Sequence, residues 1–581
     1  MLKLFKYLKP KHYFLMLFIV GLVILQVLLD LQLPEYMTNI INQIIEGGNT
    51  DKVLMVGVKM LLVAFGSMAC SIIVGYLSAR VGSSFGFILR EKVYDKVNDF
   101  SMEEINNFSN ASLITRTTND ISQVQQVVVM SLKLLVTAPT MAICAIIKIL
   151  NRSATLSLVT AIAVVILLII LITIFMLVIP KFKLIQKQTD NLNRVTRENL
   201  TGIRVVKAYN ADKNIEDKFD KINTYSTKLN YFAAKCLQLI NPFMNMIMSG
   251  LGLTIVWLGA YLISKNSLNI ADMMAFSQYS MQVLISFVML TMMIIMIPRA
   301  SVSAKRINEV LSTNVKIKDN VNNSTVKAQQ IQTGEIEFKN VNFKYPGADD
   351  YILKNINLKI NKGETVAFIG STGSGKSTLI NLIPRFYDAS EGEVEVDGIN
   401  VKDYKLKDLY DKIGYIPQQG VLFSGTIKSN LLYGFDEGTE EDIKKALKIA
   451  EAYDFVYKKE KNIDSEITQG GSNVSGGQRQ RLSIARAIIK KPEFLIFDDS
   501  FSALDYKTDK KLRKNLRKMT DKITTLIVAQ RISTIKDADK IIVLNNGEIV
   551  GQGKHKELLQ NCDVYKEIAL SQLSKEELEN E

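Results

Sequence analysis

An α-helical domain of six membrane spans followed by an α/β P-loop domain is the fold class this sequence predicts, on three observations. Six long apolar runs crowd the first half of the 581 residues. The excess of positive charge is confined to that half. A glycine-rich stretch, Gly370-Ser-Thr-Gly-Ser-Gly-Lys376-Ser377, opens a second half of ordinary soluble composition.

The apolar runs are Tyr13–Leu33, Val53–Ala79, Ser131–Leu150, Ser153–Pro180, Cys236–Ser264 and Met273–Pro298. Each can cross the roughly 30 Å of hydrocarbon in a bilayer. Ser153–Pro180 is an uncharged spanning length, which excludes a reading of these runs as core helices of a soluble protein. The first run is too long for a signal-peptide core and lacks a small-residue cleavage pattern, so it is expected to remain as an anchor.

Residues 1–330 carry 33 Lys+Arg against 19 Asp+Glu, and residues 331–581 carry 38 against 39, so the net charge of +13 belongs wholly to the first half. Of those 33 cations, 27 precede the first run, lie between runs two and three or four and five, or follow the sixth; only Lys52, Arg152 and Lys265 lie opposite. By the positive-inside rule both termini are cytoplasmic. A lipid bilayer therefore accounts for the pI of about 9.2, and nucleic acid is not expected as a partner.

Outward connections are short and inward ones, Arg80–Met130 and Lys181–Lys235, are long and rich in charge and helix formers, which predicts helices running on past the lipid. We divide the chain into a transmembrane domain (1–310), a polar linker (311–332), a soluble domain (333–575) and an acidic tail (576–581). In the soluble domain Glu335–Phe343 alternates as a strand. Gly392–Val401 and Ile541–Val550 read as hairpins through Asp397-Gly398 and Asn546-Gly547. Cys70, Cys144, Cys236 and Cys562 have no metal-ligand or disulfide spacing, and His12 and His555 are too few and too separated for a metal site.

The glycine-rich stretch follows an apolar strand, Thr365–Ile369, and precedes a helix-compatible run, Thr378–Ile383. That is the setting of a phosphate-binding P-loop. Gly370, Ser371, Thr372, Gly373, Ser374 and Gly375 let successive backbone N–H groups curve around phosphate, and Thr378 continues the site. Lys376 supplies charge to the β and γ oxygens, and the Ser377 hydroxyl completes a Mg2+ shell. A second strand, Phe494–Phe497, ends in Asp498, suited to the Mg2+ water shell, and in Asp499, where an activated water is expected. Just upstream, Ser475, Gly476, Gly477 and Gln478 open a helix, Arg479–Ile489, and combine a hydroxyl, backbone N–H groups and a helix N-terminus into an anion site.

Val474-Ser475-Gly476-Gly477-Gln478 resembles the signature of the ATP-binding-cassette (ABC) family, usually written LSGGQ. The resemblance extends over nearly the whole chain. It implies ATP and Mg2+ as cofactors, Tyr345 as the residue stacking on adenine, Gln418 as the Q-loop glutamine near Mg2+, and Ser502-Ala503-Leu504-Asp505 as the D-loop. It also implies a head-to-tail pair of cassettes, hence a second chain, because in that family one cassette's signature closes over another's P-loop. Ser112–Arg116 and Gly202–Lys207 resemble the inward connections through which exporters of this family dock onto their cassettes.

Two positions depart from the family pattern: Asp499 stands where a general-base glutamate is expected, and Gln530 where a switch histidine is expected. A carboxylate one methylene short sits about 1 Å from where it is needed, a displacement that can cost roughly 10²-fold in rate. A neutral amide cannot carry a proton or positive charge. Gln469 also replaces a common glutamate near the signature. This combination resembles the degenerate-site subunit of heterodimeric bacterial multidrug exporters. It implies an ATP-hydrolysing translocase in the bacterial plasma membrane that exports small amphipathic or hydrophobic compounds. Asp499, Gln530 and Gln418 are then the catalytic positions, and hydrolysis falls mainly to the site of a partner bearing Glu and His. A lipid flippase or peptide exporter on the same scaffold, and an ATP-binding regulatory membrane protein, are the alternative readings.

Ten of the 21 methionines fall between Met244 and Met296, beside Phe243, Phe276, Tyr279 and Phe287, a composition that suits varied apolar ligands as well as helix packing. Asp30 lies in the first run with Lys59 of the second as its candidate partner, and Gln278 and Gln282 are spaced to share a helix face.

Overall fold

The computed structural model describes all residues except 1, 48–49, 320–333, 436, 521–522 and 573–581, so most of the expected linker (311–332) and the acidic tail (576–581) lie outside the described residues. The chain forms two compact units: Met1–Asn98 with Asn110–Thr313, and Asp99–Ser109 with Asn314–Glu581. The expected unbroken domain over 1–310 therefore needs one correction, since Asp99–Ser109 belongs with the second unit.

The first unit is helical. Its main helices are α1 (Pro10–Ile45), α2 (Thr50–Asn98), α5 (Asn119–Leu150), α6 (Ala154–Thr201), α9 (Ile240–Ser264) and α10 (Ile270–Ser312), with α8 (Asp212–Gln238) leading into α9. Among the described residues, six helical segments are long and apolar enough to cross a membrane. At 49 residues α2 is about 70 Å long, over twice the hydrocarbon thickness of a bilayer. Each helix buries one face inside the unit, such as those carrying Val27 and Leu31, Val74 and Val81, Leu167 and Leu171, and Phe276 and Tyr279; Leu17, Leu62, Ile169 and Trp257 point outward. A helix hydrophobic all round suits lipid or a further partner.

Polar pairs join the helices. Glu35 accepts from Lys148 Nζ at 2.8 and 2.9 Å, Arg152 pairs with Asp272, and Tyr279 OH donates to the Leu31 carbonyl at 2.9 Å. Asp30 accepts from Ser67, not from Lys59 as the sequence led us to expect. Gln278 is exposed whereas the Gln282 Oε1 is buried without a partner among the described residues, so the two do not form one polar stripe.

Ser112–Arg116, expected to dock on the soluble domain, lies in α4 (Asn110–Thr117) of the first unit, where Arg116 Nη1 donates to Glu309 Oε2 at 2.8 Å and to the Arg306 carbonyl at 2.7 Å. The segment that joins the second unit is the one before it, α3 (Met102–Phe108). Ser101 caps it, its N–H donating to Glu104 Oε2 at 2.8 Å. The same carboxylate accepts the Lys316 N–H at 3.2 Å, and Asn106 Nδ2 donates to Tyr387 OH at 3.1 Å. Burial works against ionisation of Glu104, but these hydrogen bonds outweigh it and hold its pKa below the ordinary value. Gly202–Lys207 lies in the first unit and includes most of α7 (Ile203–Ala208), with Val205 exposed.

The rest of the second unit is built on two main sheets with helices packed around them, plus a two-stranded ribbon of Gly425–Thr426 and Glu466–Ile467. Strands β1 (Ile336–Phe343), β2 (Leu353–Ile360), β4 (Glu391–Val396) and β5 (Ile399–Asn400) form an antiparallel sheet in the order β2-β1-β4-β5. A larger sheet contains β3 (Thr365–Gly370), β6 (Ile413–Ile416), β7 (Phe494–Asp498), β8 (Thr524–Val528), β9 (Lys540–Asn545) and β10 (Glu548–Gly553), in the order β10-β9-β3-β8-β7-β6. All its neighbours are parallel except β9 and β10. The apolar runs of β7 and β8 are buried at every residue, as strands covered on both faces must be. Both expected hairpins form, with Asp397-Gly398 at φ 54° and 74° and Asn546-Gly547 at 49° and 86°, the left-handed pair a tight hairpin turn needs.

Candidate functional site

Parallel strands bring their C-terminal ends to one edge, where open α/β sheets bind ligands. Register sets Phe368 of β3, Val528 of β8 and Asp498 of β7 at one level, with Ile416 of β6 beside Phe497. The segments that follow these four strand ends contain the P-loop, Gln530, Asp499 and Gln418 respectively.

The P-loop runs from β3 into α11 (Lys376–Leu382). Gly370 takes φ 155° and a Cβ there would lie 2.1 Å from the Leu544 carbonyl; at Gly375, φ 98°, it would meet Leu353 at 2.7 Å. Only glycine fits either place. At Gly373 the space is open, but its φ of 86° still favours glycine. The Lys376 side chain folds back into the loop, donating to the carbonyls of Gly370 at 2.9 Å and Ser371 at 2.7 Å and to Ser374 Oγ at 3.3 Å. Burial lowers its pKa, opposed by the carboxylates of Asp499 and Asp498. Ser377 Oγ donates to Asp498 Oδ1 at 2.6 Å, which gathers hard oxygen donors beside the ammonium. This set fits a phosphate chain with a divalent cation. Among the described residues there is no cluster of three or more His, Cys, Asp or Glu that could hold a metal alone.

Asp499 sits in the left-handed region at φ 46°, which aspartate tolerates better than most residues, and its N–H is held by the Val528 carbonyl at 3.0 Å. One oxygen, Oδ2, accepts from Gln530 Nε2 at 2.9 Å and from Gln418 Nε2 at 3.4 Å. Burial raises the Asp499 pKa; the Gln418 hydrogen bond opposes the shift and the Asp498 charge adds to it.

Tyr345 is half-buried, its OH 3.1 Å from Thr378 Oγ1, and it packs edge-on against Phe343 and Tyr387. The signature residues open α12 (Gly476–Ile489): the Gln478 N–H bonds Ser475 Oγ at 3.3 Å, and the Ser475 N–H bonds Gln478 Oε1 at 3.1 Å. Ser475 and Gly476 are exposed, and a Cβ on Gly476 would meet nothing within 4 Å. Val474, the one departure in the signature, is buried in the core.

Sequence reasoning passed over three residues. Tyr415 donates to Asp498 Oδ2 at 3.3 Å and Asn381 Oδ1 at 3.0 Å, and burial pushes its hydroxyl pKa well up. Gln480 bridges the Pro417 carbonyl (3.1 Å) and the Gly420 N–H (2.9 Å), and Ser500 Oγ bonds the Ile416 carbonyl at 2.9 Å, so both brace the turn that carries Gln418. A tyrosine at the polar end of a short apolar strand was the available signal for Tyr415; the other two had none.

Residues 16–288 match the ABC transporter transmembrane region and residues 353–502 match the ABC transporter family. An uncharacterized ABC transporter ATP-binding protein of Mycobacterium tuberculosis is 38% identical over 548 residues, 94% of either chain, and one of Bacillus subtilis is 34% identical over 555 residues, 96% of either. A Staphylococcus aureus protein provisionally named a multidrug export ATP-binding/permease protein is 32% identical over 505 residues, 85% of either. The fold matches the solved structure of a bacterial Atm1-family ABC exporter with ATP bound, with a TM-score of 0.80 at 24% identity over 97% of this chain and 98% of that one.

Proposed function

From this chain's membership of the ABC transporter family, with a membrane region and an ATP-binding domain in one polypeptide, we propose that it is half of an ATP-driven exporter whose own nucleotide site holds ATP more than it turns it over. Its cargo is small amphipathic or hydrophobic compounds, a reading supported by the multidrug-export name of the Staphylococcus aureus relative and by the Met-rich, aromatic α9 and α10. Ser475–Gln478 complete the hydrolytic site of a partner chain that carries the glutamate and histidine missing here. Both chains sit in a bacterial plasma membrane with their termini in the cytoplasm.

The observation that carries the proposal is the meeting of Gln530 and Gln418 on one oxygen of Asp499. In this arrangement Lys376 and the loop N–H groups bind phosphate, and Tyr345 takes adenine. Ser377, Asp498 and Gln418 would hold Mg2+, which when bound neutralises charge on the phosphates. What is missing is proton chemistry. Asp499 is a short carboxylate already occupied by two amide donors, and Gln530 has no titrating nitrogen.

The test is to purify the chain alone and together with a Glu- and His-bearing partner. The lone chain is expected to bind ATP with ordinary affinity but hydrolyse it at a rate at least about 10²-fold below the pair. Fast turnover by the lone chain sinks the proposal.

A further inference from the structure

Helix α13 (Tyr506–Thr520) carries a basic face that the nucleotide site does not use. Lys510, Lys514 and Lys518 recur every fourth residue and so share one stripe. All three are exposed and form no ion pair among the described residues. Arg513 and Arg517 flank them and are held in place. Arg513 meets Asp509 at 2.9 and 3.0 Å and donates to the Ser533 carbonyl at 2.9 Å, while Arg517 donates to the Asp537 carbonyl at 2.9 Å. With Asp537 these five cations line a groove of about 540 Å³. Like charges stacked at this spacing repel one another unless an anion covers them.

The chain carries such an anion in the residues that follow a nearby anchor point. Gln572, the last described residue, is tied to the loop after β8: its Nε2 donates to the Gln530 carbonyl at 2.7 Å and its Oε1 accepts the Ile532 N–H at 2.9 Å. Ile532 adjoins Ser533, whose carbonyl Arg513 holds, so Gln572 lies within about 15 Å of the groove. The nine residues 573–581 hold Glu576, Glu577, Glu579 and Glu581 against the single Lys575. Extended, they reach about 30 Å at most, and the lysine stripe is about 12 Å long. Exit point, length and charge all match.

We propose that this acidic tail docks in the α13 groove of its own chain, and that docking keeps Gln572 clamped on the loop of Gln530. The consequence for turnover rests on the reading of Gln530 as the switch position; the docking itself does not. Exposed pairs are individually weak and salt-sensitive, so several must act together.

Zero-length carbodiimide coupling tests the docking on the full-length chain, using an equal mixture of unlabelled and 15N-labelled protein read by mass spectrometry. We expect amide links between the lysine stripe and Glu576–Glu581 within one chain, lost at about 0.5 M salt. The triple variant K510E/K514E/K518E should lower their yield by about five-fold or more, and adding E576K/E577K/E579K should restore it by reversing both partners. The proposal is overturned by absence of links at low salt, by links only between differently labelled chains, or by a charge swap that fails to restore them. It is equally overturned if the groove variant releases bound acidic lipid while tail links are unchanged. None of these outcomes depends on nucleotide, so none bears on the proposed function.

Discussion

On the proposed assignment, the two surfaces that this ATP-binding domain turns toward nucleotide are built to different standards. On the P-loop side the parts suited to holding phosphate are complete, from the glycines that only glycine can replace to Lys376 and the Ser377–Asp498 pair. The parts suited to proton transfer are the altered ones, and they are bonded to each other: Gln530 and Gln418 donate to the one Asp499 oxygen. On the signature side Ser475 and Gln478 cap α12, Gly476 is open, and the single departure, Val474, is turned into the core. The proposed function therefore treats binding and turnover as separable, because it assigns them to different residues, and a deficit on one surface need not reach the other.

Ser475→Ala breaks the comparison most sharply. On the proposed assignment it should lower turnover of the assembled pair by about 10²-fold, as removal of one preorganised donor does. It should leave ATP affinity of the lone chain unchanged. A calorimetric loss of about 1 kcal/mol from the removed helix cap should accompany it. Equal loss of lone-chain binding would mean that the two surfaces are not independent.

Asp499→Glu combined with Gln530→His should raise ATP turnover of the lone chain by about 10- to 10²-fold by restoring reach and a titrating nitrogen. A pH series sharpens the point. A base must be deprotonated to act, and burial raises the Asp499 pKa, so any residual wild-type rate should fall away with acidification from a higher pH than an ordinary aspartate would give. A pH-independent residual rate would remove Asp499 from the chemistry.

Tyr345→Ala is the smallest of the three. Loss of a stacking platform worth about 1–3 kcal/mol should weaken ATP binding by roughly ten-fold, measured by titration of the lone chain, with no change in the turnover ratio of the pair at saturating ATP.

What could be read from the sequence alone was whatever is local. Each expected span is a property of some twenty consecutive residues, and the described residues include six helical segments long and apolar enough to cross a membrane. The P-loop is eight contiguous residues after an apolar strand, and the hairpins at Asp397-Gly398 and Asn546-Gly547 follow from two residues that tolerate positive φ. What only the tertiary structure decided are the contacts between residues far apart in the chain. Gln418, Asp499 and Gln530 meet because the segments that carry them follow β6, β7 and β8, and that strand order places three distant segments side by side. Sequence spacing carries no information about strand order. The same reason underlies the corrections. Asp30 finds Ser67 and not Lys59, and α3 and not Ser112–Arg116 joins the second unit, because each partner is chosen by which helix or strand packs alongside, a choice made by the whole core.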